Sequence, residues 1–123
     1  MRDVINKLVT DIHANNIEAG WWNDPNTGES LLKNPYAVAT KLLLVNSEVA
    51  EATEAFRKGL NDDKLTHRTG IEVELADAVI RICDIAGSLG MDLGGAIEEK
   101  RAYNSKRSDH KVENRVKVGG KLF

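Results

Sequence analysis

Four acidic side chains stand in two pairs with the same spacing, Glu48-x-x-Glu51 in SEVAEATEAFR and Glu74-x-x-Asp77 in EVELADAVIRICDIAG. Residues three apart are neighbours on a helix, and like charges there repel by about a few tenths of a kcal/mol per pair. Glu54 continues the first series, and no lysine or arginine between Lys41 and Arg57 breaks it up. Either the acids face water and the repulsion is tolerated, or they share a cation. Two unit charges about 4 Å apart repel by ~4 kcal/mol at an effective dielectric typical of a protein surface. A divalent ion turns that cost into attraction. Carboxylates with neither Cys nor His among them suit Mg²⁺, with Mn²⁺ as a substitute, better than zinc. For one Glu-x-x-Glu pair a solvated flank is the better reading. Two such pairs, each beside an apolar stripe on consecutive helices, put the shared cation on an equal footing.

The elements that must position these acids are helical. Val4, Ile5, Leu8, Val9 and Ile12 recur at helical spacing near the start of the chain. A loop rich in turn formers follows, from Gly20 to Gly28, with Trp21 and Trp22 inside it. Asn34-Pro35 is a helix start, because Asn caps and Pro at the first position loses no hydrogen bond. This second helix is expected to reach about Lys58 and stop at Gly59. Thr69-x-x-Glu72 fits a capping box for a third helix ending near Leu89. Asp92 caps a fourth that runs to about Arg107. At ~100° per residue, Val38, Leu42, Val45, Val49, Ala52 and Phe56 form the main stripe of the second helix. Ile71, Leu75, Ala78, Ile82, Ile85 and Leu89 form that of the third. Glu48 and Glu51 flank the first stripe, and Glu74, Asp77, Arg81 and Asp84 flank the other. Packing the stripes together brings Glu48, Glu51, Glu74 and Asp77 to one edge of a helix pair. Glu54 lies further round and is expected to face solvent or pair with Lys58.

Composition limits what such a site can serve. The chain has 123 residues, one domain's worth, with a formal net charge of −2 that gives no general pull towards nucleic acid or anionic membranes. Cys83 is the single cysteine and lies within an apolar helical pattern, so it is expected in the core of a protein held in a reducing cytoplasm. Charges scattered through MRDVINKLVTDIHANN are unlike a secretory leader, and no apolar run approaches the ~20 residues that cross a bilayer. Strand alternation and internal repeats are absent. The reading is an all-α bundle of about four helices in residues 1–107, followed by a basic, aperiodic tail over 108–123. Val73 and Ile80 lie opposite the third helix's main stripe. A helix apolar on two sides wants burial on two sides, so a homodimer or homotetramer is expected.

The pattern Glu48-x-x-Glu51, a spacer, then Glu74-x-x-Asp77 resembles the signature of the MazG-like all-α nucleoside triphosphate pyrophosphohydrolases. The likeness runs from about Pro35 to Arg107, and EEKRAYNSKR strengthens it. The loop AGWWNDPNTGE and the tail resemble a subgroup of small single-domain bacterial and phage members. The resemblance implies hydrolysis of a nucleoside triphosphate to monophosphate and pyrophosphate, with Mg²⁺ held by the four acids, Glu48 and Glu51 acting in catalysis, and assembly as dimers or tetramers of helical bundles. Given a metal site, the phosphates call for cations. Lys100, Asn104 and Arg107 recur on one face of the fourth helix beside Tyr103. Lys100 and Arg107 are therefore candidate phosphate ligands, and Asn104 and Tyr103 candidate sugar or base contacts. Without the metal motif they read as ordinary surface residues.

Other residues divide between function and packing. One of Trp21 and Trp22 is a candidate for stacking on a nucleobase, while the other plugs the core or an interface. His13 and Asn16 end the first helix just before that loop and are candidates for lining the same pocket, with surface placement the better reading. Asp84 is expected either behind the metal ligands or paired with Arg81. Two other classes compete with the enzyme. A di-iron carboxylate bundle needs Glu-x-x-His pairs, and no His lies three residues after any of the four acids. In a non-catalytic helical interaction module the acids would merely face solvent.

Overall fold

Each helix begins and ends where its local chemistry dictates. In the computed structural model, which describes residues 1–123, the Asn34 side chain accepts hydrogen bonds from the backbone N–H groups of Tyr36 and Ala37, and Pro35 opens helix α2, Pro35–Lys58. Gly59 ends it in the left-handed conformation, with φ 61°, which glycine adopts without a Cβ penalty. Thr69 Oγ1 accepts from the Glu72 N–H and donates to the Glu72 carboxylate at the start of α3, Gly70–Ser88. Asp92 caps α4, Leu93–Ser105, by accepting from the Gly95 N–H. Helix α1 covers Arg2–Glu18. Helix α4 thus stops two residues before the expected Arg107, which instead precedes a 3₁₀ turn at Ser108–His110. The tail is more ordered than its lack of periodicity implies, since that turn leads into a short α5, Val112–Arg115. Local bonds, including Asn114 Nδ2 to the Ser108 carbonyl, hold it without an apolar stripe. There are no strands, only isolated bridges at Asn23–Ser30 and Asn61–Thr69. No helix is long and apolar enough to cross a membrane.

The chain divides into two compact units, one of residues 7–91 and one of residues 1–6 with 92–123. The larger is built on α2 packed against α3. They run antiparallel, because Ala55 meets Gly70 near the connecting loop while Glu48 meets Arg81 further along. The seam is made of small residues. Ala52 and Ala78 are buried, and a Cβ on Gly70 would come within 2.8 Å of the Ala55 Cβ. Small side chains let the two backbones approach closely there. The expected stripes are covered only in part. Val38 and Val45 are half-buried and Ile85 is buried, but Leu42, Val49, Phe56, Leu75, Ile82 and Leu89 are exposed. Cys83 is buried, as expected.

In the smaller unit, Asp92 accepts from the Asn6 side chain at 2.7 Å and pairs with Arg2 at 2.7 Å. The Asn6 Oδ1 in turn accepts from the Gly94 N–H. A Cβ on Gly94 would meet the Arg2 carbonyl oxygen at 2.3 Å, so only glycine permits this approach of backbone to backbone.

Candidate metal centre

Antiparallel packing of α2 and α3 brings acids from both helices to one place. Carboxylate oxygens of Glu48, Glu74 and Asp77 lie within 4.8 Å of one another. Glu51, the fourth acid of the expected set, is exposed and lies outside this group of three, but its carboxylate is close enough to Glu74 to help raise that carboxyl. Burial comes first in raising the Glu74 carboxyl, and its hydrogen bonds and charge repulsion with Glu51 and Glu48 add to this, so that it titrates at about 7. Burial and the charge of Glu48 also hold the Asp77 carboxyl above its ordinary value, against the pull of Arg81. These acids cannot all be ionised together cheaply without a cation.

One cation is already present. Arg81, one turn beyond Asp77, donates its Nε–H to Glu48 Oε1 at 2.6 Å. Glu48 is only 7% exposed. Burial alone would raise its carboxyl, but the Arg81 guanidinium, helped by hydrogen bonds with Glu74 and Glu51, holds it below the ordinary range. Arg81 therefore pairs with Glu48 on the neighbouring helix rather than with Asp84. The donor set fits a hard divalent ion. All of its atoms are carboxylate oxygens, they come from two rigid helices, and one guanidinium leaves their charge only partly balanced.

Of the four acids Glu48 and Asp77 line a cavity of about 250 Å³, together with Asn16, Trp21, Lys41, Ile80, Arg81, Asp84 and Ile85, whereas Glu51 and Glu74 do not. The two loop tryptophans have different fates here. Trp22 is 1% exposed and donates its indole N–H to Asp84 Oδ1 at 2.8 Å, whereas Trp21 is 66% exposed at the cavity edge. The same Asp84 oxygen lies 2.7 Å from His13 Nδ1, and the His13 and Trp22 rings meet edge to face at 5.6 Å. His13 is thus drawn inside, contrary to its expected surface position. Gly87 makes this possible, since a Cβ there would come within 2.5 Å of the His13 Cβ. Asn16, one turn on, lines the cavity. Lys41 lies with Nζ 4.3 Å from the Trp22 ring centroid and donates to the Trp21 carbonyl at 3.0 Å. Burial, with Arg81 adding to it, lowers its pKa against the opposing charge of Asp84.

Glu54 stays outside the cluster, paired with Arg57 at 2.6 Å and Lys58 at 3.4 Å. The basic face expected on the fourth helix belongs to the smaller unit. There Lys100 Nζ and the Arg107 guanidinium sit 4.9 and 5.8 Å from the Tyr103 ring centroid. Arg107 makes two hydrogen bonds to Asp109, at 3.0 and 2.7 Å, and Lys121 joins them. Arg107 and Lys121 hold the Asp109 carboxyl well below the carboxylate range. Asn104 Oδ1 is buried and accepts no hydrogen bond, an acceptor in want of a donor.

The spacing of the acids pointed to the cluster, but Lys41 and the His13–Asp84–Trp22 group had no such signal. Each member lies on a different element, and only Asp84 shares a flank with the acids. No protein-family model matches the chain, and no curated protein or solved structure is significantly similar to it.

Proposed function

We propose that the chain is a Mg²⁺-dependent pyrophosphohydrolase of the MazG-like kind, converting a nucleoside or deoxynucleoside triphosphate to the monophosphate and pyrophosphate. The observation that carries this is the convergence of Glu48, Glu74 and Asp77 within 4.8 Å, on two helices, without a Cys or His. In this reading Glu48, Glu74 and Asp77 hold the ion, with Glu51 completing the set beside Glu74. A bound Mg²⁺ would neutralise phosphate charge and acidify a water. Glu51, the most exposed of the four acids, orients the attacking water and takes its proton. Trp21 offers an exposed aromatic face at the cavity edge for a base, and Trp22 fixes the loop from below through Asp84. Lys100 and Arg107 remain candidate phosphate ligands, with Tyr103 and Asn104 as candidate sugar or base contacts.

Self-association belongs to the same proposal. Leu42, Val49, Phe56, Leu75 and Ile82 leave an apolar surface on the α2–α3 pair that a second copy would cover, as a homodimer or homotetramer. The buried, unpaired Cys83 agrees with a reducing cytoplasm.

The test is incubation of the protein with a panel of deoxynucleoside triphosphates, with Mg²⁺ or with excess EDTA, and product analysis by phosphorus NMR. Monophosphate and pyrophosphate are expected only with the metal. Inorganic phosphate with a diphosphate would refute the reaction class. No turnover of any nucleotide would leave the chain a helical interaction module or a carboxylate metal-binding bundle.

A further inference from the structure

Arg81 occupies a position that is good for the metal-free chain and poor for a metal-loaded one. Its pairing with Glu48 uses Nε, and neither Nη group has a hydrogen-bond partner within the chain. Arg81 also lines the cavity that Lys41 enters from α2, and Lys41 has no carboxylate within ion-pair distance. The lining groups Glu48, Asp77 and Asp84 outnumber Lys41 and Arg81 by one negative charge. A single divalent ion held by Glu48, Glu74 and Asp77 would offset two units of negative charge beside that lining. The same ion competes with Arg81 for Glu48, because two cations on one carboxylate repel, and the stronger charge wins. A guanidinium so released has its planar fork available in a cavity whose acids the ion already partners, and a fork of that kind matches phosphate oxygens two at a time.

We propose that Arg81 is a two-position side chain: it is the internal counter-ion of Glu48 while the cluster lacks metal, and it turns to the phosphate chain of the substrate in the adjoining cavity once a divalent cation holds Glu48. This rests on the metal-dependent hydrolase reading and adds a phosphate ligand on α3, beside the acids themselves. The exchange keeps the buried Glu48 carboxylate compensated in both states. It also makes metal and nucleotide binding cooperative, because the metal releases a ligand for the anion.

Calorimetry of Mg²⁺ binding without nucleotide, on the wild-type chain and on Arg81→Gln, tests the first half. The variant is expected to bind Mg²⁺ about tenfold or more tightly, since the competitor is gone. Titration of an α,β-imido deoxynucleoside triphosphate in saturating Mg²⁺ tests the second half, and there the variant should bind about tenfold or more weakly. An unchanged or weaker Mg²⁺ affinity overturns the proposal. So does tighter Mg²⁺ binding with unaltered affinity for the analogue, which would make Arg81 a counter-ion only. Because Arg81→Gln leaves a buried carboxylate unpaired, the wild-type chain supplies an independent measurement. Its Arg81 Nε–H resonance, assigned by its loss in Arg81→Lys, should broaden or shift on adding Mg²⁺, and its Nη signals should sharpen on adding the analogue. A resonance indifferent to Mg²⁺, in a chain that hydrolyses triphosphates, refutes the proposal alone. Absence of Mg²⁺ binding to the wild-type chain refutes the metal reading and this proposal together.

Discussion

The α2–α3 pair and the segment from Lys100 to Lys121 both gather charge, and they handle it in opposite ways. On the basic segment several cations have found partners. Arg107 and Lys121 share Asp109, and Lys100 and Arg107 flank the Tyr103 ring. On the helix pair the one paired guanidinium, Arg81, reaches Glu48 only, and burial with mutual repulsion pushes Glu74 to about 7. Satisfied charge builds structure. Charge left in conflict inside a packed seam is what a ligand can relieve, and this separates the two regions more clearly than their net charges do.

The sharpest way to break that contrast is to remove the conflict. Asp77→Asn should leave the helix pair folded and lower kcat/KM by ~100-fold or more, because one ligand charge is lost from a small set. Glu51→Gln should behave similarly if it handles the water's proton. Steady-state kinetics with circular dichroism as the control would measure both, and full activity in either would move the site elsewhere.

On the basic segment smaller losses are expected. A charge-assisted hydrogen bond is worth roughly 1.5–3 kcal/mol, so Lys100→Ala and Arg107→Ala should each lower kcat/KM by about ten- to a hundredfold. Only Arg107→Ala should also lower the melting temperature, since it alone removes the paired contact to Asp109. If Arg107→Ala destabilises the chain and spares kinetics, that segment is structural throughout.

The acidic cluster should also make stability depend on pH. The folded chain holds the Glu74 proton up to about pH 7, whereas an unfolded chain releases it near the ordinary 4.5. This group's contribution to stability is fully present below about 4.5 and falls as pH rises through about 7. Thermal melts in EDTA should show that decline, Glu74→Gln should flatten it, and Mg²⁺ should oppose it by displacing the proton. A wild-type profile identical to that of Glu74→Gln would place Glu74 outside the conflict. The smallest effect belongs to Glu54→Gln, whose partners Arg57 and Lys58 are exposed, so activity should stay within twofold and stability within about 1 kcal/mol.

The helix boundaries are written in the order of the residues. Asn34-Pro35, Gly59, Thr69-x-x-Glu72 and Asp92 marked real boundaries, because caps and stops are local chemistry within three or four positions. The error at Arg107 is of the same local kind, since the Arg107–Asp109 bonds favour a tight turn over another turn of helix. Face assignments travelled less well. Phe56 and Leu75 share their stripes with Ala52 and Ala78 in periodicity, yet Ala52 and Ala78 are buried while Phe56 and Leu75 are exposed.

Helicity, the places of the four long helices and the two Glu-x-x-acid pairs on consecutive helices all follow from the order of the residues. Helical periodicity and capping are properties of neighbours, and neighbours are written in order. Tertiary structure alone decided that Arg81 goes to Glu48 rather than Asp84, that Asp84 collects His13 and Trp22, and that Trp22 is buried while the adjacent Trp21 faces the cavity. Those partners lie 33 to 71 residues apart. Which of several equally plausible partners a charged group takes depends on distances set when the helices pack, and no local pattern carries that choice.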